Sequence, residues 1–248
     1  MANTLAYQLY SLRRFEGGWD AAFDAVKELG IDTIEPWCGA VPADPDSGMS
    51  IESLRSTIER AGLSLTCGHM TVAEYDASYE QCRHFRLHYG SKAWVIPFAK
   101  ADSLDEWLAL VPKFREMAQR LEADGLSLGY HNHHMELEQA GEKYIMEHLL
   151  DAMPELQAQF HIGQFRPERG ISLPDWIRKY EGRVCSLHVN DTNEDGPTRL
   201  GEGTCRPADA IRTALDTGVD TFIIEVDLNE ATVDEVRRDV EFTRRLVG

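Results

Sequence analysis

From Leu5 onward, short runs of apolar and β-branched residues alternate with longer segments in which apolar positions return every three or four residues. The short runs fit buried or half-buried strands, and the longer segments fit helices with one buried side. The strand-like runs are LAYQLYS from Leu5, TIEPW from Thr33, LSLTCGH from Leu63, KAWVIPF from Lys92, LSLGYHNH from Leu126, QAQFHI, VCSLHVN from Val184 and TFIIEVD from Thr221, eight in all. The spacing between them predicts a helix from Trp19 to Leu29 stopped by Gly30, and one from Ile51 to Ala61 with Ser50 as N-cap and Gly62 as stop. A longer helix is expected from Asp105 to Ala123, with Trp107, Leu108, Leu110, Val111, Phe114, Met117 and Leu121 on one side and Gly125 after it. Helices from Asp209 to Thr217 and from Val233 to Val247 complete the set.

The segments ELGIDTIE, RAGLSLTCG, ADGLSLGYH and DTGVDTFIIE share one order: a helix end, a glycine, then a strand that closes in polar residues. This recurrence predicts an α/β fold, a (β/α)8 TIM barrel over residues 1–248 as one domain. A doubly wound open sheet would carry a glycine-rich phosphate loop after its first strand, and LYSLRRFEGG is not one.

Composition narrows the partners. The 248 residues are 43% hydrophobic and 27% charged, a balance that suits a soluble globular chain with a sizeable core. With 25 Lys and Arg against 42 Asp and Glu, the net charge of −17 repels nucleic acid and anionic membrane surfaces. Five cysteines without any CxxC spacing fit reduced thiols, and with no visible signal peptide or long apolar span the expected location is cytoplasmic.

In a closed parallel barrel, the side chains at the C-terminal strand ends converge on one mouth, where the chemistry of such folds sits. The polar residues at those ends are Gln8, Glu35, His69, His131, His133, His161, His188, Asn190, Glu225 and Asp227. The run GYHNHHMELE alone brings three histidines and two carboxylates to the fifth end. Imidazoles and carboxylates from several strands, aimed at one spot, are what a divalent metal with open positions for substrate requires.

Four segments carry a resemblance to a known group. YQLYSLR at Tyr7–Arg13, GYHNHHMEL at Gly129–Leu137, YEGRVCSLHVND at Tyr180–Asp191 and FIIEVD at Phe222–Asp227 resemble, in order, conserved segments of the xylose isomerase-like barrels of the sugar phosphate isomerase/epimerase family. The histidine segment is similar to that group's Tyr-His-Asn-His-x-x-Glu signature. The resemblance implies a divalent metal (Mn, Co, Zn, Fe or Ni) held by residues of the fifth to eighth strands. By motif, His188 and Glu225 are the seventh- and eighth-strand ligands, and the fifth-strand ligand is His131 or Glu136. The sixth departs, since HIGQ puts His161 where the family has aspartate and Gln164 where it has tryptophan. Imidazole in place of carboxylate moves the site toward Zn, Fe, Co or Ni and away from Mg. Asn190 stands where the family has lysine, which disfavours a phosphate on the substrate.

The chemistry implied is proton abstraction beside a carbonyl of a sugar, an oxidised sugar or an inosose, giving an enediolate that isomerises, epimerises or eliminates. His131 and His133 are two apart on one strand and suit proton transfer, with Glu136 or Glu225 sharing the role. Gln8, Glu35, Trp37, His69 and Asn190 are the expected sugar-binding groups. The partner is then a small-molecule sugar or derivative, with a homodimer open as an assembly. A different class of reading is a metal-free sugar-binding or accessory barrel, which the departures at His161 and Gln164 keep open. His134 is expected to face outward and His84, His88 and His148 to lie on helices; Arg183 is read as structural and the LGEGT turn from Leu200 as a loop.

Overall fold

The structure is a computed structural model that describes residues 2–37, 51–226 and 231–248; Ser50, expected as an N-cap, and Asp227, expected at the mouth, lie outside the described residues. Eight parallel strands follow the predicted order: β1 (Thr4–Gln8), β2 (Thr33–Glu35), β3 (Ser64–Leu65), β4 (Ala93–Ile96), β5 (Ser127–His131), β6 (Gln157–His161), β7 (Val184–Val189) and β8 (Thr221–Ile224). Except between β3 and β4, each pairs with its sequence neighbours, and β8 pairs with β1. β3 and β4 close the ring through a bridge between His69 and Val95, with N–H···O bonds from Met70 to Val95 at 2.9 Å and from Val95 to Gly68 at 3.0 Å. An expected run of several residues at β3 is therefore two residues of ladder followed by a bridged tail.

Successive strand residues face opposite sides, so the sequence sorts into two layers. Outward residues such as Leu128, Tyr130, Ala158, Phe160, Leu187, Val189, Phe222 and Ile224 pack under the helices in the main core. Ala6, Cys67, Ala93, Val95 and Ile223 form a separate small apolar cluster. Its small side chains suit the narrow interior of an eight-stranded ring. Above it the buried inward positions are polar: Gln8, Glu35, His131, Gln159, Ser186 and His188. Between Ala158 and Gln159 the register to β7 shifts, leaving Cys185 as an extra residue. The bulge resets the alternation, so Ser186 and His188 still face inward.

The helices at Ile51–Ala61 and Val233–Val247 match their predicted bounds, and Thr232 and Glu235 cap the latter reciprocally. The single helix expected from Asp105 is two, Leu104–Ala109 and Val111–Glu122. Pro112 has no N–H to bond back to the preceding turn, so the helix restarts there. Three further helices, Val72–His88, Ile145–Ala152 and Leu173–Lys179, fill crossovers the apolar spacing left open. The first is hard to read because its buried face is Tyr75, Tyr79, Cys82 and Arg86 instead of an aliphatic stripe. Arg183 donates to the carbonyls of Leu150, Met153 and Leu156 at 2.9–3.0 Å, tying a helix end to the strand base. Among the described residues, no helix is long and apolar enough to cross a membrane.

Candidate active site at the barrel mouth

A cavity of about 730 Å³ opens at the C-terminal strand ends. Tyr10, Trp37 and Phe98 line one part of it, and His69, His131, His133, His161, Asn190 and Glu225 line another. Adjacent strands bring these groups together: His161 is in register with His188, and His131 with Gln159. One donor atom each from His131, His161, His188 and Glu225 lies within 4.8 Å of the other three. Glu136, the alternative fifth-strand ligand, is elsewhere. It is fully buried at a 3-10 turn, where it accepts from the Tyr130 hydroxyl at 2.6 Å and the His133 N–H at 2.8 Å. Burial pushes its carboxyl above the usual range.

Buried partners set the tautomers of these imidazoles. Gln159 donates through Nε2 to Glu35 at 2.8 Å and to Ser186 at 2.9 Å, so its Oε1 is the end that meets His131 Nδ1 at 2.9 Å and His69 Nε2 at 2.7 Å. An amide oxygen only accepts, hence both imidazoles donate to it. His131 is left with a lone pair on Nε2, which faces the cluster. His188 lies between two carboxylates, with Nε2 at 2.5 Å from Glu35 and Nδ1 at 2.6 Å from Glu225. Burial opposes charge on this ring, but the two carboxylates outweigh it and raise its pKa to about 10. Burial likewise works against ionised Glu35, yet His188 and His69 keep its carboxyl below the usual range; Glu225 follows the same pattern, held down by His188.

His161 differs. The Gly163 N–H holds Asn190 Oδ1 at 2.6 Å, which turns the Asn190 amide nitrogen onto His161 Nε2. His161 then carries its hydrogen on Nδ1 and presents an N–H to His131 at 2.9 Å and to Glu225 at 3.3 Å. Burial lowers its pKa to about 3, so the ring is neutral. His133 is the freest of the group: its Nδ1 is buried without a partner among the described residues, and burial again lowers its pKa.

Of the expected sugar-binding groups, Trp37, His69 and Asn190 line the cavity. Gln8 and Glu35 do not; they are fully buried beneath it, with Gln8 donating to Glu35 at 2.6 Å. Both ends of the Asn190 amide are already engaged. His134 is exposed on its outer side but also touches the cavity rim. The LGEGT turn is a loop whose N–H groups are taken: Gly201 and Gly203, with Cys205 just after it, donate to Asp191 at 3.0 Å, and Thr204 donates to the Thr192 carbonyl at 2.8 Å. Sequence reasoning missed Gln159, Tyr10, Phe98, Arg166 and Arg169. Gln159 had a signal, since alternation puts it on the same face as His161.

No family model matches the sequence, and no curated protein matches it. Solved structures do. A sugar phosphate isomerase/epimerase from Parabacteroides distasonis is similar at 15% identity and TM-score 0.78, covering 98% of this chain and 96% of that one. Its fold is that of the xylose isomerase-like barrels. A probable 3-DHS dehydratase from Bacillus anthracis is similar at 13% identity and TM-score 0.73, over 97% of this chain and 98% of that one. A xylose isomerase-like TIM barrel protein from Mycobacterium smegmatis, in complex with magnesium, is similar at 17% identity and TM-score 0.70, over 100% and 97%.

Proposed function

We propose that this barrel is a metal-dependent isomerase or epimerase of a polyhydroxy carbonyl compound, with elimination of water as the alternative fate of the same intermediate. The observation that carries the reading is the pre-set donor group. His131, oriented by Gln159, and His188, oriented by Glu35, turn their remaining nitrogens toward Glu225 at the foot of one cavity. Two imidazoles and a carboxylate, each ring anchored by a buried acceptor on its far nitrogen, suit a divalent ion of the Zn, Fe, Co, Ni or Mn type that keeps open positions and would displace the Nδ1 proton His188 gives to Glu225. Such an ion, when bound, polarises the substrate carbonyl and stabilises an enediolate.

The chain's own residues do the rest. His133, whose ring lines the cavity and whose pKa burial lowers, takes the proton from the carbon beside the carbonyl and returns it to that carbon or its neighbour. His131 has both nitrogens committed and serves as a holder, not as the base. His69, held by Gln159, sits at the wall where substrate hydroxyls would lie. Tyr10 and Trp37, with ring centroids 5.0 Å apart, give the apolar face of a sugar a surface to rest on and keep water from the intermediate.

One observation favours a second reading. Asn190 fixes an N–H of His161, not a lone pair, toward the cluster, as it would in a sugar-binding barrel without a metal. Metal analysis after dialysis against each divalent ion, with hydrogen exchange of ketoses in D₂O, separates the two. The enzyme reading expects one ion per chain and metal-stimulated exchange that is lost in His133→Ala; no metal uptake and no exchange would leave only the binding barrel.

A further inference from the structure

The part of the cavity wall that follows β6 carries two guanidinium groups with almost nothing to pair with among the described residues. Arg166 and Arg169 both line the cavity and are half-buried. Among the described residues Arg169 has no ion pair or side-chain hydrogen bond, and the approach of Arg166 to Glu168 is 3.9 Å, at a glutamate whose side chain is 62% exposed. Several other arginines of this acidic chain have close carboxylate partners, as Arg60 has Asp24, Arg120 has Glu80 and Arg237 has Asp234, at 2.6–2.7 Å.

The pair is also rigidly placed. Phe165 before it is in the core, Pro167 opens a 3-10 turn over Pro167–Arg169, and the Arg169 N–H bonds the Arg166 carbonyl at 3.0 Å. Among the described residues, the carboxylates that line the same cavity are already engaged: Asp191 is enclosed by four backbone N–H groups and Glu225 is bound to His188. Two guanidiniums in a recess of a chain with net charge −17 focus positive potential onto one wall. Their planar forks match a carboxylate or phosphate.

We infer that Arg166 and Arg169 clamp an anionic group of the substrate, so that the polyhydroxy carbonyl compound bears a carboxylate or phosphate at the end away from the reacting carbon. This rests on the cavity being the substrate site proposed above. The test is calorimetric titration with D-glucose, D-glucuronate and D-glucose 6-phosphate, which share one ring and differ in charge. At least one anion should bind about tenfold or more tightly than glucose, and the tighter one names the group. In Arg166→Gln/Arg169→Gln, with unchanged metal content as the folding control, the preference should shrink to about twofold or less, and added salt should weaken it in the wild type. Equal binding of all three, no binding of either anion, or a preference that survives the double substitution overturns the clamp. Glu225→Gln separates this from the enzyme reading: it should abolish metal-stimulated exchange and leave the anion preference in place.

Discussion

The Nδ1 of His161 lies 2.9 Å from the Nε2 of His131, so two imidazoles from neighbouring strands share one hydrogen between them. With Nε2 of His161 held by Asn190, that hydrogen belongs to His161, and the two rings are unequal as metal donors. His161→Ala is therefore expected to retain most bound metal, whereas His188→Ala loses it. Glu35→Gln, a change at a residue outside the cavity, should weaken metal affinity about 10- to 100-fold by replacing the charged acceptor that orients His188 with a weaker neutral one. Competition against a graded chelator measures all three. Equal loss from His161→Ala and His188→Ala would make His161 a full ligand; unchanged affinity in Glu35→Gln would remove the orienting role of that carboxylate.

Asp239, on the buried side of the final helix, receives the Tyr7 hydroxyl at 3.3 Å, and burial raises its pKa to about 7 despite Arg199 nearby. A carboxyl that ionises near pH 4 when unfolded thus holds its proton more tightly in the folded protein. Its stabilising contribution is complete below about pH 4 and falls away as pH rises through about 7. Asp239→Asn keeps an acceptor for Tyr7 and never ionises. Urea unfolding at pH 5 and pH 8 should show the variant gaining on the wild type at the higher pH; the same difference at both would refute the shift.

Gly203 is packed too closely for any side chain. A Cβ there would lie 2.2 Å from Asp191 Oδ1 and 2.5 Å from the Thr192 carbonyl oxygen, and the second of these is backbone that cannot swing aside. Gly203→Ala should cost about 1–3 kcal/mol of unfolding free energy, the usual range for overpacking. If Gly203→Ala leaves the unfolding free energy unchanged, the close approach does not exist in solution.

Much of the barrel could be read before any coordinates because each β/α unit repeats the same punctuation, and a two-residue period says which strand residues face inward. This is why His131, His161, His188 and Glu225 could be named from positions far apart in the chain. The period does not say how deep an inward residue sits. Gln8 and Glu35 were expected at the substrate and are fully buried one layer below it, where they support His188. Nor does a motif show where a side chain turns: Glu136 folds back onto Tyr130 and its own turn. Arg166 and Arg169 lie in a loop with no periodic pattern, so nothing in their spacing marked them as cavity residues.

Gln159 joins four strands through one amide, giving hydrogens to Glu35 and Ser186 and taking them from His69 and His131. A carboxylate of the same shape would accept at both ends and meet Glu35 as a like charge, and a leucine would leave all four neighbours without their contact. The orientation of one neutral side chain in the middle of the ring thus dictates how the rim is protonated. A chain that exchanged this residue would have to rewire two histidines at once, which ties the reactivity of the opening to a position no ligand can touch.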